Sequence, residues 1–176
     1  MSDPTPASSA HHHRRSAPRQ VPTAVITVSD TRTLETDAGG ARVAERLAEA
    51  GHPVVAREIV PDDPDAIGEA LRRALSRDET GAVILTGGTG VAPRDVTPEA
   101  VAPLLERVIP GFGELFRMLS FGEVGSAALL SRALAGIAAG RVVFVIPGSR
   151  GAVDLAMDRL VLPEIGHLAA EAVKVR

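Results

Sequence analysis

The sequence contains no cysteine and no long apolar run, and each absence excludes several kinds of protein. Without cysteine there are no disulfides, no thiolate metal sites and no cysteine nucleophile, which fits the cytoplasm. No apolar run approaches the roughly 18 residues that a membrane-spanning helix requires. The first residues also lack the apolar stretch of a secretory signal peptide. We therefore expect a cytoplasmic protein with no membrane partner.

The chain also lacks a strong charge of either sign. Its 176 residues carry a formal net charge of −3, so no global basic field draws it to nucleic acid. The hydrophobic content of 45% and the charged content of 23% are ordinary for a globular protein. The length favours one domain. We therefore expect a single globular domain without a nucleic-acid partner.

Residues 1–20 differ from the rest in being rich in proline, serine and alanine. We expect them to form a disordered tail, followed by one domain over residues 21–176. His11, His12 and His13 in this tail could bind a metal. A solvated tail is favoured, because an unstructured triplet offers a metal neither fixed geometry nor supporting contacts.

From residue 21 onwards, apolar strands alternate with amphipathic helices. Short apolar runs predict strands over 24–28, 54–60, 81–85, 133–137 and 142–146. The alternation indicates an α/β fold with a mostly parallel sheet covered on both faces. The last two strands are joined by the tight turn at Ala139 and Gly140, which implies one antiparallel strand.

Cap residues predict the bounds of the first two helices. Asp37 is expected to cap a helix that Gly51 ends. Asp63 is expected to cap the second helix, because Pro64 directly after it suits a first helical position.

The later helices are predicted from similar signals. Thr97 is expected to cap a third helix, and a fourth is predicted over 114–119. Ser149 is expected to cap the last helix. Pro163 should break or kink that helix before it continues over 165–173.

In a parallel sheet, ligands bind beyond the carboxyl ends of the strands. Four loops are therefore candidates: residues 29–31, 61–63, 87–90 and 147–149. The strongest is the glycine-rich loop, whose exposed backbone N–H groups can form a nest for an anion. Its residues are Gly87, Gly88, Thr89 and Gly90. It matches neither the P-loop motif nor the dinucleotide-binding fingerprint. The alternative to an anion nest is an ordinary tight turn that binds no ligand.

Two aspartates on these loops are not required as helix caps. Thr97 and Asp63 are the expected caps, which leaves Asp95 and Asp62 at the same end of the sheet. Two such carboxylates suit Mg²⁺, which binds one or two carboxylates together with substrate phosphates. A solvated loop position is the alternative for each of them.

Gly148 and Ser149 precede the start of the last helix. The N–H groups at a helix start form a favourable anion site. An ordinary serine cap without a ligand is the alternative.

Five segments together resemble the MoaB/Mog family of molybdopterin-binding proteins. They are TVSDTRTLETD (27–37), LTGGTGVAPRDVTPEA (85–100), GFGELFRMLSF (111–121), LSRALAG (130–136) and IPGS (146–149). The combination of GGTG with RDVTPEA is specific, and GFGELFRMLSF indicates the MoaB branch. The resemblance covers nearly the whole chain except the tail.

The resemblance implies a three-layer α/β/α sandwich that assembles as a homotrimer or homohexamer. It also implies a reaction in molybdenum cofactor biosynthesis: molybdopterin and MgATP give adenylylated molybdopterin and pyrophosphate. The family's catalytic, metal-supporting aspartates match Asp62 and Asp95. Gly87, Gly88, Thr89 and Gly90 match the pocket-lining loop, and Ser29, Asp30, Gly148 and Ser149 lie in further pocket loops.

Adenylyl transfer requires positioning and charge neutralisation rather than a side-chain nucleophile. Mg²⁺ held by Asp62 or Asp95 would shield the triphosphate, and loop amides would hold the pterin phosphate. Arg94 either contacts a phosphate or pairs with Asp95 on the surface.

Two other functions share this fold. A paralogue can bind molybdopterin or nucleotide without turnover, although the presence of both Asp62 and Asp95 favours the enzyme. Molybdate insertion, as in MoeA-type proteins, normally needs a much longer chain; a separate insertion protein is a candidate downstream partner.

The segment 111–121 holds three of the four phenylalanines, Phe112, Phe116 and Phe121. This is more apolar surface than one amphipathic helix needs, which predicts a subunit interface. Ordinary core packing is the alternative.

Overall fold

The computed structural model describes residues 18–174, and they form a six-stranded sheet in the order β2-β1-β3-β6-β5-β4. The predicted tail over 1–20, with its three histidines, lies almost entirely outside the described residues. The strands are β1 Thr23–Val28, β2 Val54–Val60, β3 Ala82–Thr86, β4 Arg107–Val108, β5 Leu134–Ala138 and β6 Arg141–Ile146.

Helices connect the strands and cover both faces of the sheet. They are α1 Ala38–Glu49, α2 Pro64–Leu75, α3 Thr97–Val101, α4 Pro110–Val124, α5 Arg150–Ala156 and α6 Leu162–Ala172. Short 3₁₀ turns follow α3 and α4, and a π turn over Met157–Val161 joins α5 to α6. Within residues 18–174, no helix is long and apolar enough to cross a membrane.

Two apolar cores lie on opposite faces of the sheet, because alternate residues of each strand point to opposite sides. In β1, Ile26 belongs to one core and Val25 to the other. Helices α1, α4, α5 and α6 cover the Val25 face, and α2 and α3 cover the Ile26 face. The molecule is therefore the predicted three-layer α/β/α sandwich.

One strand runs against the others, as the sequence predicted. β1, β2, β3 and β6 pair in parallel, whereas β5 is antiparallel to both of its neighbours. Ala139 and Gly140 both have positive φ, 49° and 70°, as a two-residue hairpin turn requires. The two-residue edge strand β4 was not predicted, because so short an exposed segment has no alternating pattern.

The first two helix caps are confirmed and the third is wrong. The side chain of Asp37 accepts a hydrogen bond from Gly40 N, and that of Asp63 accepts one from Ala66 N. At α3 the cap position is Val96, which makes no side-chain cap bond. Thr97 is fully buried, and its hydroxyl donates to the Gly87 carbonyl at 2.9 Å. Thr97 therefore anchors the glycine-rich loop.

Pro163 does not break the last helix. The Leu162 N–H bonds to the Met157 carbonyl, five residues back, in a π turn directly before the proline. The wider turn accommodates a residue that has no N–H to donate. The chain therefore continues from α5 into α6 without interruption.

Candidate functional site

The site lies at the carboxyl ends of β1 and β3, which are neighbours in the sheet. The chain leaves β1 towards β2 on one side and leaves β3 towards β4, β5 and β6 on the other. Such a reversal of direction opens a crevice between two adjacent strands. Two pockets occupy this crevice, and Val28 and Ser29 contribute to both.

The larger pocket has a volume of about 290 Å³. Of the predicted binding residues, it contains Ser29, Gly87, Gly148 and Ser149. It also contains eight residues that the sequence did not indicate as ligand-binding: Thr27, Val28, Arg32, Asp37, Ala38, Gly39, Thr86 and Arg150. Two arginines therefore face this pocket, which gives it a cationic rim.

Close backbone approaches form the floor of the larger pocket. Gly87 has φ 104°, and a Cβ there would lie 2.4 Å from the Val28 carbonyl oxygen. A Cβ on Gly39 would lie 2.8 Å from the Gly148 carbonyl oxygen. Only glycine fits such distances without a backbone shift. The end of β1, the start of α1 and the loops at Gly87 and Gly148 therefore meet through their main chains.

Ser149 occupies the cap position of α5, as predicted, but its hydroxyl makes no cap bond among the described residues. Its carbonyl accepts the first helical bond from Val153 N at 2.9 Å. Ser149 and Arg150 are exposed and both line the larger pocket. A donor hydroxyl and a cation thus adjoin a helix start, an arrangement that suits an anion.

Asp37 is buried and lines the larger pocket together with Ala38 and Gly39 at the start of α1. Its carboxylate accepts hydrogen bonds from Thr27 Oγ1 at 2.8 Å, Gly40 N at 2.8 Å and Arg57 Nη2 at 2.9 Å. Burial alone would raise the pKa of Asp37, but these bonds and the Arg57 charge outweigh it and lower the pKa. Asp37 therefore stays ionised and ties α1 to β1 and β2.

The acidic pocket is the smaller of the two, with a volume of about 170 Å³. Its lining residues are Val28, Ser29, Asp30, Thr31, Asp62, Gly88, Arg94 and Asp95. Asp30 and Asp62 bond reciprocally: Asp30 N donates to Asp62 Oδ2 at 3.2 Å, and Asp62 N donates to Asp30 Oδ1 at 3.1 Å. The two aspartates predicted to support a metal, Asp62 and Asp95, therefore share one pocket with a third.

Electrostatics make the acidic pocket suitable for a cation. Burial, followed by the charge of Asp30 and then that of Asp95, raises the pKa of Asp62. The hydrogen bond from Asp30 N and, to a smaller extent, the charge of Arg94 partly oppose this. The described residues contain no cluster of three or more side chains arranged to enclose a metal ion by themselves. Mg²⁺ does not need such a cluster, since it uses one or two carboxylates and completes its shell with water and phosphate oxygens. Asp62 and Asp95 fit that requirement.

The glycine-rich loop is divided between the two pockets. Gly87 faces the larger pocket and Gly88 faces the acidic one, whereas Thr89 and Gly90 line neither. The carbonyls of Thr89 and Gly90 instead accept hydrogen bonds from Arg132 at 3.0 and 2.7 Å. Spacing alone could not separate these roles, because all four residues belong to one short motif.

The cationic residues that the sequence did not predict for this site are Arg32 and Arg150, which line the larger pocket, and Arg132, which supports the glycine-rich loop from outside both pockets. Arg32 and Arg150 adjoin the predicted residues Ser29 and Ser149, so their place on these loops was a signal that they could reach the site. Arg132 follows the third strand's loop by about forty positions and carries no local signal. Arg94, for which the sequence left open a phosphate contact or a surface pair with Asp95, lines the acidic pocket.

These features define a class: three-layer α/β proteins with a ligand crevice beyond the carboxyl ends of parallel strands. Comparison with known proteins gives the family. Residues 24–167 match the family described as "Probable molybdopterin binding domain". The chain belongs to this MoaB/Mog family of molybdopterin-binding domains.

Three similar proteins illustrate the match. The chain is 50% identical over 164 residues to "Molybdenum cofactor biosynthesis protein B" of Bacillus anthracis, which covers 93% of this chain and 97% of that protein. A crystal structure of a molybdenum cofactor biosynthesis protein B superposes with a TM-score of 0.86 at 50% identity, covering 89% of this chain and 98% of the other. A tungsten cofactor synthesizing protein MoaB from Pyrococcus furiosus gives a TM-score of 0.81 at 37% identity, covering 90% and 100%. These names agree with the predicted MoaB branch.

Proposed function

We propose that the protein acts in molybdenum cofactor biosynthesis and adenylylates molybdopterin with MgATP. The observation that carries the proposal is the pair of pockets that meet at Val28 and Ser29. One has a cationic rim and a helix start, and the other has three carboxylates. Together they suit two phosphorylated substrates and the divalent ion that accompanies ATP.

The proposed reaction needs no nucleophile from the chain. An oxygen of the terminal phosphate of molybdopterin attacks the α-phosphorus of ATP, the bond from that phosphorus to the bridging oxygen breaks, and pyrophosphate leaves. When bound, Mg²⁺ supplies charge neutralisation at the triphosphate. Asp62 and Asp95 would hold it, while the residues of the larger pocket orient the attacking phosphate.

The cationic side chains support this assignment of the two pockets. Arg32 and Arg150 line the larger pocket, where a pterin phosphate would need a counter-charge. Arg94 lines the acidic pocket and its charge acts on Asp62, so it is placed to contact a polyphosphate beside the metal. Arginine suits phosphate because its planar donors match phosphate oxygens.

Self-association is the second part of the proposal. Phe112 and Phe116 are buried, so core packing explains these two predicted interface residues. Phe121 is 62% exposed and Leu129, in the following 3₁₀ turn, is 78% exposed. Leu115, Met118, Val124 and Leu130 add to this apolar surface. Such a surface favours assembly of identical chains as a trimer or hexamer.

The decisive experiment follows adenylylated molybdopterin after purified protein is mixed with molybdopterin, ATP and Mg²⁺. Asp62→Asn and Asp95→Asn should each lower the rate by roughly a hundredfold or more, because each removes a charge beside the reacting phosphates. Asp65→Asn is the matched control, since Asp65 is exposed and lines neither pocket.

Two outcomes would contradict the proposal. Folded wild-type protein that binds molybdopterin but forms no product would establish the binding-only function. Full activity in both variants would show that the acidic pocket is not where the metal-supported chemistry occurs.

A further inference from the structure

The loop between β3 and α3 contributes to both pockets but has almost no regular structure. Over residues 87–95 it places Gly87 in the larger pocket and Gly88 and Asp95 in the acidic pocket. No helix or strand includes these residues. The position of Asp95 relative to Asp62 therefore depends on the side chains that hold this loop.

Arg132 makes four polar contacts with this loop and the helix after it. Its backbone N–H donates to the Thr89 carbonyl at 3.0 Å, and its Nε donates to the Gly90 carbonyl at 2.7 Å. Nη2 donates to the carbonyl of Asp95 itself, and Nη1 pairs with Glu99 on α3. One rigid guanidinium therefore holds both ends of the segment 90–95 and the helix beyond it.

The other hydrogen bonds of the loop do not attach residues 90–95 to the rest of the fold as Arg132 does. Thr97 fixes the loop's beginning through the Gly87 carbonyl. The Asp95 carboxylate accepts a bond from Ala92 N at 3.0 Å, which closes a turn within the loop. Neither contact connects residues 90–95 to a distant element. Arg132 makes such a connection, because it lies just before β5, a strand that is separated from β3 by β6.

We infer that Arg132 is a positioning residue for the adenylyl transfer proposed above, which holds Asp95 opposite Asp62 through the backbone carbonyls of Gly90 and Asp95. Arg132 lines neither pocket and therefore lies outside the proposed substrate site. Its effect is on geometry: the fixed fork of five N–H donors sets the loop in one conformation. The inference rests on the proposed function for its catalytic consequence and on the loop contacts for its structural part.

The test compares Arg132→Gln and Arg132→Lys with wild type. The glutamine variant should lower kcat between roughly tenfold and a hundredfold, the loss expected when a reacting group is displaced by about 1 Å. The Mg²⁺ concentration for half-maximal rate should rise, while the dissociation constant for molybdopterin should stay near the wild-type value. The lysine variant should resemble the glutamine variant, because lysine keeps the charge but loses the fork.

Arg141→Gln is the matched control. Arg141 also donates to three backbone carbonyls, those of Thr80 at 3.2 Å, Ala139 at 2.6 Å and Arg77 at 3.4 Å. Arg141 lies at the start of β6, at the end of the sheet opposite to the carboxyl ends where the pockets lie. It should leave kcat and the Mg²⁺ dependence unchanged.

Three outcomes would overturn the inference: wild-type kcat and Mg²⁺ dependence in Arg132→Gln, recovery of both in Arg132→Lys, or equal losses in Arg141→Gln. Failure of the proposed function is distinguishable, since wild-type protein would then form no product. In that case hydrogen–deuterium exchange decides the placement of the loop. Faster exchange confined to residues 88–95 in Arg132→Gln supports the inference, and unchanged exchange there overturns it.

Discussion

Asp62 occupies a position where burial and two neighbouring carboxylates all disfavour its charge. Its pKa is raised, so at neutral pH the folded protein carries a repulsion that the unfolded chain lacks. Sites that bind a cation commonly show this arrangement, because the ion relieves the repulsion when it binds. The free energy of unfolding should therefore report on the charge state of the acidic pocket.

Asp62→Asn should raise the melting temperature at neutral pH by roughly 1–3 °C, which corresponds to less than about 1 kcal/mol. The amide removes the repulsion and can still accept the bond from Asp30 N. Calorimetry of the metal-free protein measures the shift. Asp65→Asn is the control, and it should leave the melting temperature unchanged or lower it slightly, because it removes a charge from the first turn of α2. A lower melting temperature in Asp62→Asn would mean that the carboxylate stabilises the pocket.

His52 should make the stability of the fold depend on pH. It is buried, and its Nδ1 accepts a bond from Val21 N at 3.0 Å. Burial lowers the pKa of His52 below that of the unfolded chain, so folding favours the neutral ring. The resulting stability is fully present above pH 6.5, the ordinary value, and is lost as the pH falls through the lowered pKa.

The variant His52→Asn tests this linkage, since asparagine keeps an acceptor but does not titrate. Between pH 7 and pH 5 the wild type should lose about 1 kcal/mol more stability than the variant, the worth of one buried hydrogen bond. Denaturant unfolding at several pH values measures the difference. Parallel pH profiles for the two proteins would contradict the role of His52.

At the residue scale, the sequence predicted that Asp62 and Asp95 lie at the same end of the sheet, and both line the acidic pocket, but it did not predict the cations that support these loops. Asp62 and Asp95 lie on loops that follow strand ends, so topology brings both loops to the same end of the sheet. Arg57 reaches Asp37 from β2, and Arg132 reaches Asp95 from the segment before β5. Such partners depend on side-chain directions between distant elements, which spacing does not encode.

At the scale of elements, the contact between the start of α1 and the loop after β6 closes the larger pocket. Gly39→Ala would place a Cβ 2.8 Å from the Gly148 carbonyl oxygen, which forces two backbones apart. We expect a loss of stability of about 1–3 kcal/mol, as for overpacking, together with weaker molybdopterin binding. Thermal unfolding and equilibrium binding measure the two effects.

Gly151→Ala is the control for this prediction, because a Cβ there meets nothing within 4 Å. Alanine in the helix α5 should leave stability unchanged or raise it by up to about 1 kcal/mol. If Gly39→Ala behaves like Gly151→Ala, the close approach does not define the pocket.

The elements show where patterns predict local structure and where they do not. Asp63 caps its helix through Oδ1, and Asp37 caps its helix through Oδ1 while its other carboxylate oxygen bonds Thr27 and Arg57. Thr97 has the same cap signal, but burial against the Gly87 carbonyl gives its hydroxyl another acceptor. The difference arises from tertiary packing, so the local sequence could not predict it.

At the scale of the whole molecule, apolar strands and amphipathic helices were enough to predict the layers and the single antiparallel strand. The central strands are buried on both faces and therefore read as uniform apolar runs. The predicted subunit interface could not be distinguished from the core by such patterns, because buried and exposed phenylalanines share one helix and only the folded chain separates them.

Phe121→Glu combined with Leu129→Glu should shift the protein from a trimer or hexamer to a monomer in analytical ultracentrifugation. The two charges would lie on the exposed apolar surface and oppose its burial between chains. Val173→Glu is the control, since Val173 is similarly exposed but lies after α6. A monomeric wild type at micromolar concentration would remove the basis for the interface.

The π turn before Pro163 sets the spacing of apolar residues along the last helical segment. Val153, Met157, Val161 and Ile165 are all fully buried and stand four positions apart. In an uninterrupted α-helix each such step overshoots a full turn by about 40°, so the last residue would face about 120° away from the first. The wider π turn absorbs part of this drift. Relatives that are one residue shorter here should therefore lack the π turn and place one pair of buried residues three positions apart.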